Sequence, residues 1–207
     1  MMSSDEALVV VDLQYDFMPG GALSVPEGDQ VVPIANSMQQ RFEIVVATQD
    51  WHPPDHGSFA ANHPRRRVGD TINLDGLEQI LWPTHCVQGT RGAALVEQFD
   101  RQRVRRIFHK GTDRRIDSYS GFYDNAHRRA TGLGDFLLAG GIKRIYLMGL
   151  ATDYCVKYSA LDARALRFET IVIEDGCRGV NVRPEDSQRA IEEMKRLGVK
   201  FARSDDI

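Results

Sequence analysis

Cysteine is scarce in this chain of 207 residues: there are three, an odd number, at positions 86, 155 and 177. So sparse a set excludes a disulfide-framed secreted scaffold and points to a reducing compartment. Long apolar runs are missing too. None approaches the roughly 18–20 residues that span a bilayer, so no membrane partner is expected. The opening "MMSSDEALVVVDL" has no basic stretch before its apolar run and carries Asp5 and Glu6 instead. It reads as a strand of a cytoplasmic protein rather than as a secretory leader. Positive charge is not in excess, because 26 Lys and Arg stand against 29 Asp and Glu, a net charge of −3. Nucleic acid as the main ligand would need the opposite balance, so "RRR" at 65–67 and "RQRVRR" at 101–106 read as solvated faces. Repeats, low-complexity stretches and linker-like shifts in composition are absent as well. A single domain, 1–207, with a small-molecule partner is what these exclusions leave, and self-association stays open.

What the chain does have is a succession of short apolar runs, at 7–11, 44–47, 104–108, 144–148, 170–173 and 199–202. The first and fifth are nearly continuous β-branched or leucine-rich stretches, as in strands covered on both faces. Helical patterns separate the runs, at 29–41, 92–99, 133–139, 153–167 and 184–197. In the last, Pro184 suits a first helical position and Gly198 the residue just past the end. Alternating strand and helix predicts an α/β fold: a three-layer α/β/α sandwich around a mainly parallel, Rossmann-like sheet of about six strands. The segment 51–90 fits this plan poorly, being rich in proline and without a sustained period, and a loop of that length is usually functional.

Residues of catalytic type stand at the ends of the first four runs: Asp12, Asp50 with His52, Lys110, and Cys155. Ligands of open α/β sheets bind beyond the carboxyl ends of the strands, so these residues should converge. In "GLATDYCV", Thr152 is a good helix cap and Asp153 suits the positive end of the helix dipole. Cys155 would then lie in the first turn, where the dipole and a nearby Lys110 favour the thiolate. With Asp12 as the base that takes its proton and returns it to a departing nitrogen, Cys155 could attack a carbonyl, and amide hydrolysis is the reaction class suggested.

A second constellation is Asp50-Trp51-His52, with His85 further along. Residues two apart on an extended segment share a face, and a third ligand from a loop would complete a metal site with an open position. His85 is preferred to Cys86 as that ligand, because neighbours on an extended chain point apart. Zinc, iron and manganese all suit such donors. His56 and His63 are assigned to surface or supporting roles.

Together the blocks "DLQYDFMPGGAL", "TQDWHPPDHGSFAANH", "LWPTHCVQGT", "KGTD…DSYSGF" and "GLATDYCV" resemble the nicotinamidases of the isochorismatase-like hydrolase superfamily, in that family's order, from Asp12 to about Cys177. The resemblance implies hydrolysis of nicotinamide, and of pyrazinamide, as a step in NAD salvage. It implies Asp12, Lys110 and Cys155 as catalytic residues, backbone N–H groups of Ala151 and Cys155 as an oxyanion hole, and Phe17, Trp82 and Tyr119 as walls for the pyridine ring. Asp50, His52 and His85 match the ligands of a divalent metal, usually zinc. A cis peptide bond before Ala151 is also implied, one that physics alone would not choose. Two rival readings are a sister amidohydrolase of the superfamily, which without the metal would lack the Asp50, His52 and His85 set, and a non-enzymatic zinc-binding or thiol redox protein. The latter would have no need of Asp12 or Lys110 and would need a second cysteine near the first.

Overall fold

A computed structural model describes residues 4–207. All six apolar runs form strands of one parallel sheet: β1 (Glu6–Val11), β2 (Ile44–Asp50), β5 (Val104–Lys110), β6 (Arg144–Leu150), β7 (Glu169–Arg178) and β8 (Lys200–Ala202), in the spatial order β5-β2-β1-β6-β7-β8. The central strand β1 is buried at every position, which is why its run shows no alternation. Its Glu6 is buried as well and ion-pairs with Arg144 on β6. The strand order reverses between β1 and β6. Right-handed crossovers running outward on either side of that point place helices on both faces, giving the three-layer sandwich. The helices are α1 (Val31–Met38), α2 (Leu133–Ala139), α3 (Lys157–Ala165) and α4 (Asp186–Arg196). In α4 only Ala190 and Met194, one turn apart, are buried, and the charged residues face outward. Residues 1–3 lie outside the described residues; over 4–207 the six-stranded sheet and its helices share one apolar core.

Several sequence expectations are corrected. Residues 92–99 form turns rather than a helix. Their backbone serves the segment after β1 instead: Tyr15 donates to the carbonyl of Ala94 (3.1 Å), and Val96 donates to that of Leu13 (2.9 Å). The pattern at 29–41 is α-helical only over α1, with 3-10 turns on either side. Pro184 precedes α4 rather than opening it, whereas Gly198 does follow the helix end with φ +85°. The segment 51–90 carries a hairpin, β3 (Thr71–Leu74) paired antiparallel with β4 (Leu77–Ile80). Its turn is Asp75-Gly76, both at positive φ, a two-residue hairpin signal that was present in the sequence.

Candidate active site

The four adjacent strands β5, β2, β1 and β6 deliver their carboxyl ends to one place, at the reversal of strand order. Lys110 closes β5 and is in register with Asp50, which closes β2. Asp12 follows β1 directly, in a left-handed conformation (φ +51°) that costs a non-glycine residue energy and is held by its surroundings. Thr48 donates to its Oδ1 (2.6 Å). Beyond β6 comes the strand-to-helix turn bearing Cys155. Gly149 allows β6 to lie against β1 there: its φ is +127°, and a Cβ would stand 2.1 Å from the carbonyl oxygen of Val11. The Leu150–Ala151 peptide bond is cis, as the resemblance implied.

The expected helix start at Thr152 is reshaped. Residues Thr152–Val156 form a π-type turn capped by Ala151, and the Thr152 side chain makes no capping bond. The carbonyl of Ala151 accepts from Tyr154 (3.1 Å) and Val156 (3.0 Å), whereas regular α geometry would give it the N–H of Cys155. Asp153 does stand in that first turn, and it has a second task as well. Its carboxylate accepts the N–H groups of Val180 (2.9 Å) and Asn181 (2.7 Å), drawing the segment after β7 onto the site.

Lys110 is the electrostatic centre. Its ammonium is fully buried and lies 2.9 Å from Asp12 Oδ2, 2.8 Å from Asp50 Oδ1, 3.0 Å from the carbonyl of Ser118 and 3.3 Å from Cys155 Sγ. Burial alone would favour its neutral form, but the two carboxylates overcome this and hold its pKa well above the usual lysine range. Burial raises the pKa of Asp12, with Lys110 opposing, which makes it a better proton acceptor than an exposed aspartate. For Asp50, burial is outweighed by Lys110 and His52, and its pKa sits well below the ordinary value. The surroundings of Cys155 oppose the thiolate more than its helix start and Lys110 favour it. Burial raises the Cys155 thiol, Asp12 and Asp50 add to the rise, and Lys110 does not compensate. A thiol raised in this way calls for a base, and the sulfur lies within 4.8 Å of a carboxylate oxygen of Asp12.

Beside this set lies a metal-fitting cage. His52 donates from Nδ1 to the carbonyl of Gly111 (2.8 Å), and His85 from Nδ1 to that of Pro83 (2.8 Å). Each bond fixes a tautomer whose Nε2 carries the lone pair, and both Nε2 atoms face Asp50 Oδ2, at 3.4 and 3.8 Å. His52 Nε2 is buried with no hydrogen-bond partner, a deficiency that a cation would remove. Gly111 lets the ring sit there, since a Cβ would be 2.3 Å from it. Among the described residues two other groups of three donors lie as close together. In one, His56 already uses both nitrogens, on Ser58 Oγ (2.7 Å) and the carbonyl of Ile116 (3.3 Å). The other, Asp12, Asp50 and Cys155, encloses the Lys110 ammonium. The three donors Asp50, His52 and His85 thus fit a divalent metal best. His56 is fully buried against the His52 ring (centroids 4.3 Å apart), burial lowering its pKa to about 4, and His63 bonds to the carbonyl of Gly57.

Both groups open onto one pocket lined by Phe17, Trp82, Tyr119, Ala151, Cys155 and His85, so all three predicted aromatic walls are there. The same pocket is lined by Leu23, Asp117, Tyr154 and Val180, which sequence reasoning missed. Tyr154 is an aromatic neighbour of the predicted cysteine and could have been suspected; its ring packs edge-on against Trp82. Asp117 carries no local signal, and its carboxylate accepts from Gln79 (3.2 Å), on the hairpin.

The family model described as the isochorismatase domain matches residues 6–206. A nicotinamidase of Escherichia coli (strain K12) is 50% identical over 196 residues, covering 93% of this chain and 92% of that protein. An Acinetobacter nicotinamidase and pyrazinamidase of solved structure superposes with a TM-score of 0.97 at 43% identity, over 100% of this chain and 99% of the other. The pyrazinamidase of Pyrococcus horikoshii, solved in complex with zinc, gives 0.78 at 41% identity, over 96% and 99%. The chain belongs to the isochorismatase family.

Proposed function

We propose that this member of the isochorismatase family is a nicotinamidase: a metal-containing cysteine amidohydrolase that converts nicotinamide and water to nicotinate and ammonia, a step in NAD salvage. One juxtaposition carries the reading. A thiol, carboxylate and ammonium set and a three-donor metal cage open onto the same aromatic-walled pocket, so a ring nitrogen and a carboxamide can be engaged together.

In this assignment Asp12 takes the proton of Cys155 as Sγ adds to the carboxamide carbon. The N–H groups of Ala151 and Cys155 hold the oxyanion. Asp12 then delivers the proton to the departing nitrogen, and ammonia leaves a thioester on Cys155. Asp12 next accepts a proton from water as the water oxygen adds to the thioester carbon. Collapse breaks the C–S bond, releases nicotinate and returns the proton to sulfur. Lys110 stays charged throughout and offsets the negative charge on Asp12, Asp50 and the sulfur. Phe17, Trp82 and Tyr119 orient the ring, each stacking contact contributing about 0.5–1.5 kcal/mol. When bound between Asp50, His52 and His85, a divalent metal supplies a Lewis-acidic anchor for the ring nitrogen. Zinc is the metal assigned, supported by the donor set and by the zinc-bound Pyrococcus relative.

Pyrazinamide is a substrate too, because a pocket that reads ring nitrogen and carboxamide gains nothing by which to reject a near-isostere. A small molecule is the partner. Three free cysteines support a cytoplasmic setting, and no helix among the described residues is long and apolar enough to cross a membrane. The test is ammonia release by the zinc-loaded protein from nicotinamide, pyrazinamide and benzamide. Turnover of the first two and poor use of benzamide are expected; no ammonia from nicotinamide overturns the reading.

A further inference from the structure

We infer that Asp16 is a positioning residue that ties the metal cage to the aromatic wall, so that metal affinity and pyridine binding change together when it is lost. The substrate half of this inference rests on the nicotinamidase reading; the metal half stands without it.

Asp16 lies in the short turn Tyr15–Phe17, next to the ring wall Phe17, and is itself neither a pocket-lining residue nor a member of a three-donor cluster. Four hydrogen bonds leave it in two directions. Its N–H donates to the carbonyl of Gly92 (3.0 Å), and its own carbonyl accepts from Leu23 (2.9 Å), another residue of the pocket. Its Oδ1 accepts weakly from Ala22 (3.4 Å), and its Oδ2 accepts the backbone N–H of Cys86 at 2.7 Å. The last bond is charge-assisted, and it reaches across 70 positions of sequence to the residue that follows the ligand His85.

Cys86 is the joint through which Asp16 would act. It sits at φ +47°, a conformation unfavourable for a side chain-bearing residue, and its carbonyl accepts the N–H of His52 at 3.0 Å. One backbone unit therefore connects both imidazole ligands, and the Asp16 carboxylate holds that unit in its strained conformation. The Phe17 ring, carried by the same turn, lies 5.7 Å from the His85 ring. The chain also leaves room for the carboxylate: a Cβ on Gly92 would stand 2.2 Å from Oδ2 and 2.5 Å from Oδ1. Gly92→Ala thus displaces the Asp16 carboxylate without removing it, an independent route to the same defect.

The experiment compares the wild type with Asp16→Ala, Asp16→Asn and Gly92→Ala. Zinc affinity is measured on stripped protein by competition with a chromophoric chelator. KM and kcat for nicotinamide are measured at saturating zinc, and unfolding temperature is recorded in parallel. Asp16→Ala is expected to weaken zinc binding by about 10–100-fold, the usual cost of losing a partner that orients a metal ligand. It should raise KM more than it lowers kcat, because the Asp12, Lys110 and Cys155 set has no bond to Asp16. Asp16→Asn, whose amide oxygen can still accept from Cys86, should recover most of both, and Gly92→Ala should behave like Asp16→Ala. Unchanged zinc affinity in Asp16→Ala and Gly92→Ala, with only a lowered unfolding temperature, overturns the inference. If Asp16→Ala does not fold, wild-type zinc affinity in Gly92→Ala overturns it alone. A wild type that binds zinc but leaves nicotinamide untouched sinks the functional reading, and the zinc measurements then decide the positioning role by themselves.

Discussion

The Lys110 ammonium has three hydrogens for four acceptors: Asp12, Asp50, the carbonyl of Ser118 and Cys155 Sγ. Removing it would leave two buried carboxylates without their cation, at a cost of about 3–5 kcal/mol, so a lysine variant confounds chemistry with folding. Cys155→Ala separates them. It should abolish ammonia release while circular dichroism and zinc content stay at wild-type values, and retained turnover would remove the covalent assignment. Asp12→Asn should lower kcat by about 10²–10⁴, the usual share of a general acid–base, since an amide moves no proton. The pH profile of the wild type tests the same residue. Burial raises the Asp12 pKa above 3.8, and only the ionised form accepts the thiol proton. Activity should therefore fall as pH drops through that raised value, and an acid limb at or below 3.8 would contradict the burial argument. Of the six titratable residues of the two constellations, five were legible because residue type and run-end position both point to chemistry, and His85 because a D-x-H pair calls for a third ligand from a loop. The upward shift of the Cys155 thiol was not, because it comes from burial, which the whole fold supplies. The role of Asp16 and the second task of Asp153 were illegible for a related reason: each acts on backbone N–H groups far along the chain, at Cys86 and at Val180 and Asn181.

Among elements, the strands of the main sheet could be read, whereas the hairpin strands β3 and β4 and most turns were not. An apolar run is enough to mark a strand, and every run became one, at the edges of the sheet (β5 and β8) as well as in its centre. The apolar spacing at 92–99 was genuine, but those residues use their backbone groups on the segment after β1, a tertiary demand that overrides propensity. The cap expected at Thr152 failed because the strand-to-helix turn takes a π-type geometry that no local signal announces. That turn depends on β6 lying close to β1, which yields a prediction for Gly149. With only 2.1 Å between a new Cβ and the carbonyl of Val11, Gly149→Ala must push the two strands apart. Overpacking of this kind costs about 1–3 kcal/mol, read as a lowered midpoint in urea, and it should reduce kcat as well, because Asp12 and Cys155 follow those two strands. A variant with full activity and an unchanged midpoint would show that the pairing tolerates the methyl group.

For the molecule as a whole, the metal cage lies at the end of the sheet, while the apolar core runs through its strands and helices. Zinc should therefore stabilise a protein that is already folded. Chelation is expected to leave the far-ultraviolet spectrum intact and to weaken nicotinamide binding. Zinc at a hundred times its dissociation constant should add about 2.7 kcal/mol, seen as a higher unfolding temperature. Unfolding on chelation would mean that the cage is structural.

The strand order has a consequence for how the chain comes to be folded. β1 pairs with β2 on one side and with β6 on the other, so its second neighbour is synthesised more than a hundred residues later. During translation this strand, apolar apart from Glu6, has one bare edge until the chain has grown past residue 150, the kind of edge that recruits other chains. The same pairing, the one of longest sequence range in the sheet, sets Asp12 beside Cys155, so enzymatic activity in a refolding experiment reports that closure. Recovery of amidase activity should lag the recovery of helical signal, with added zinc unable to hasten it.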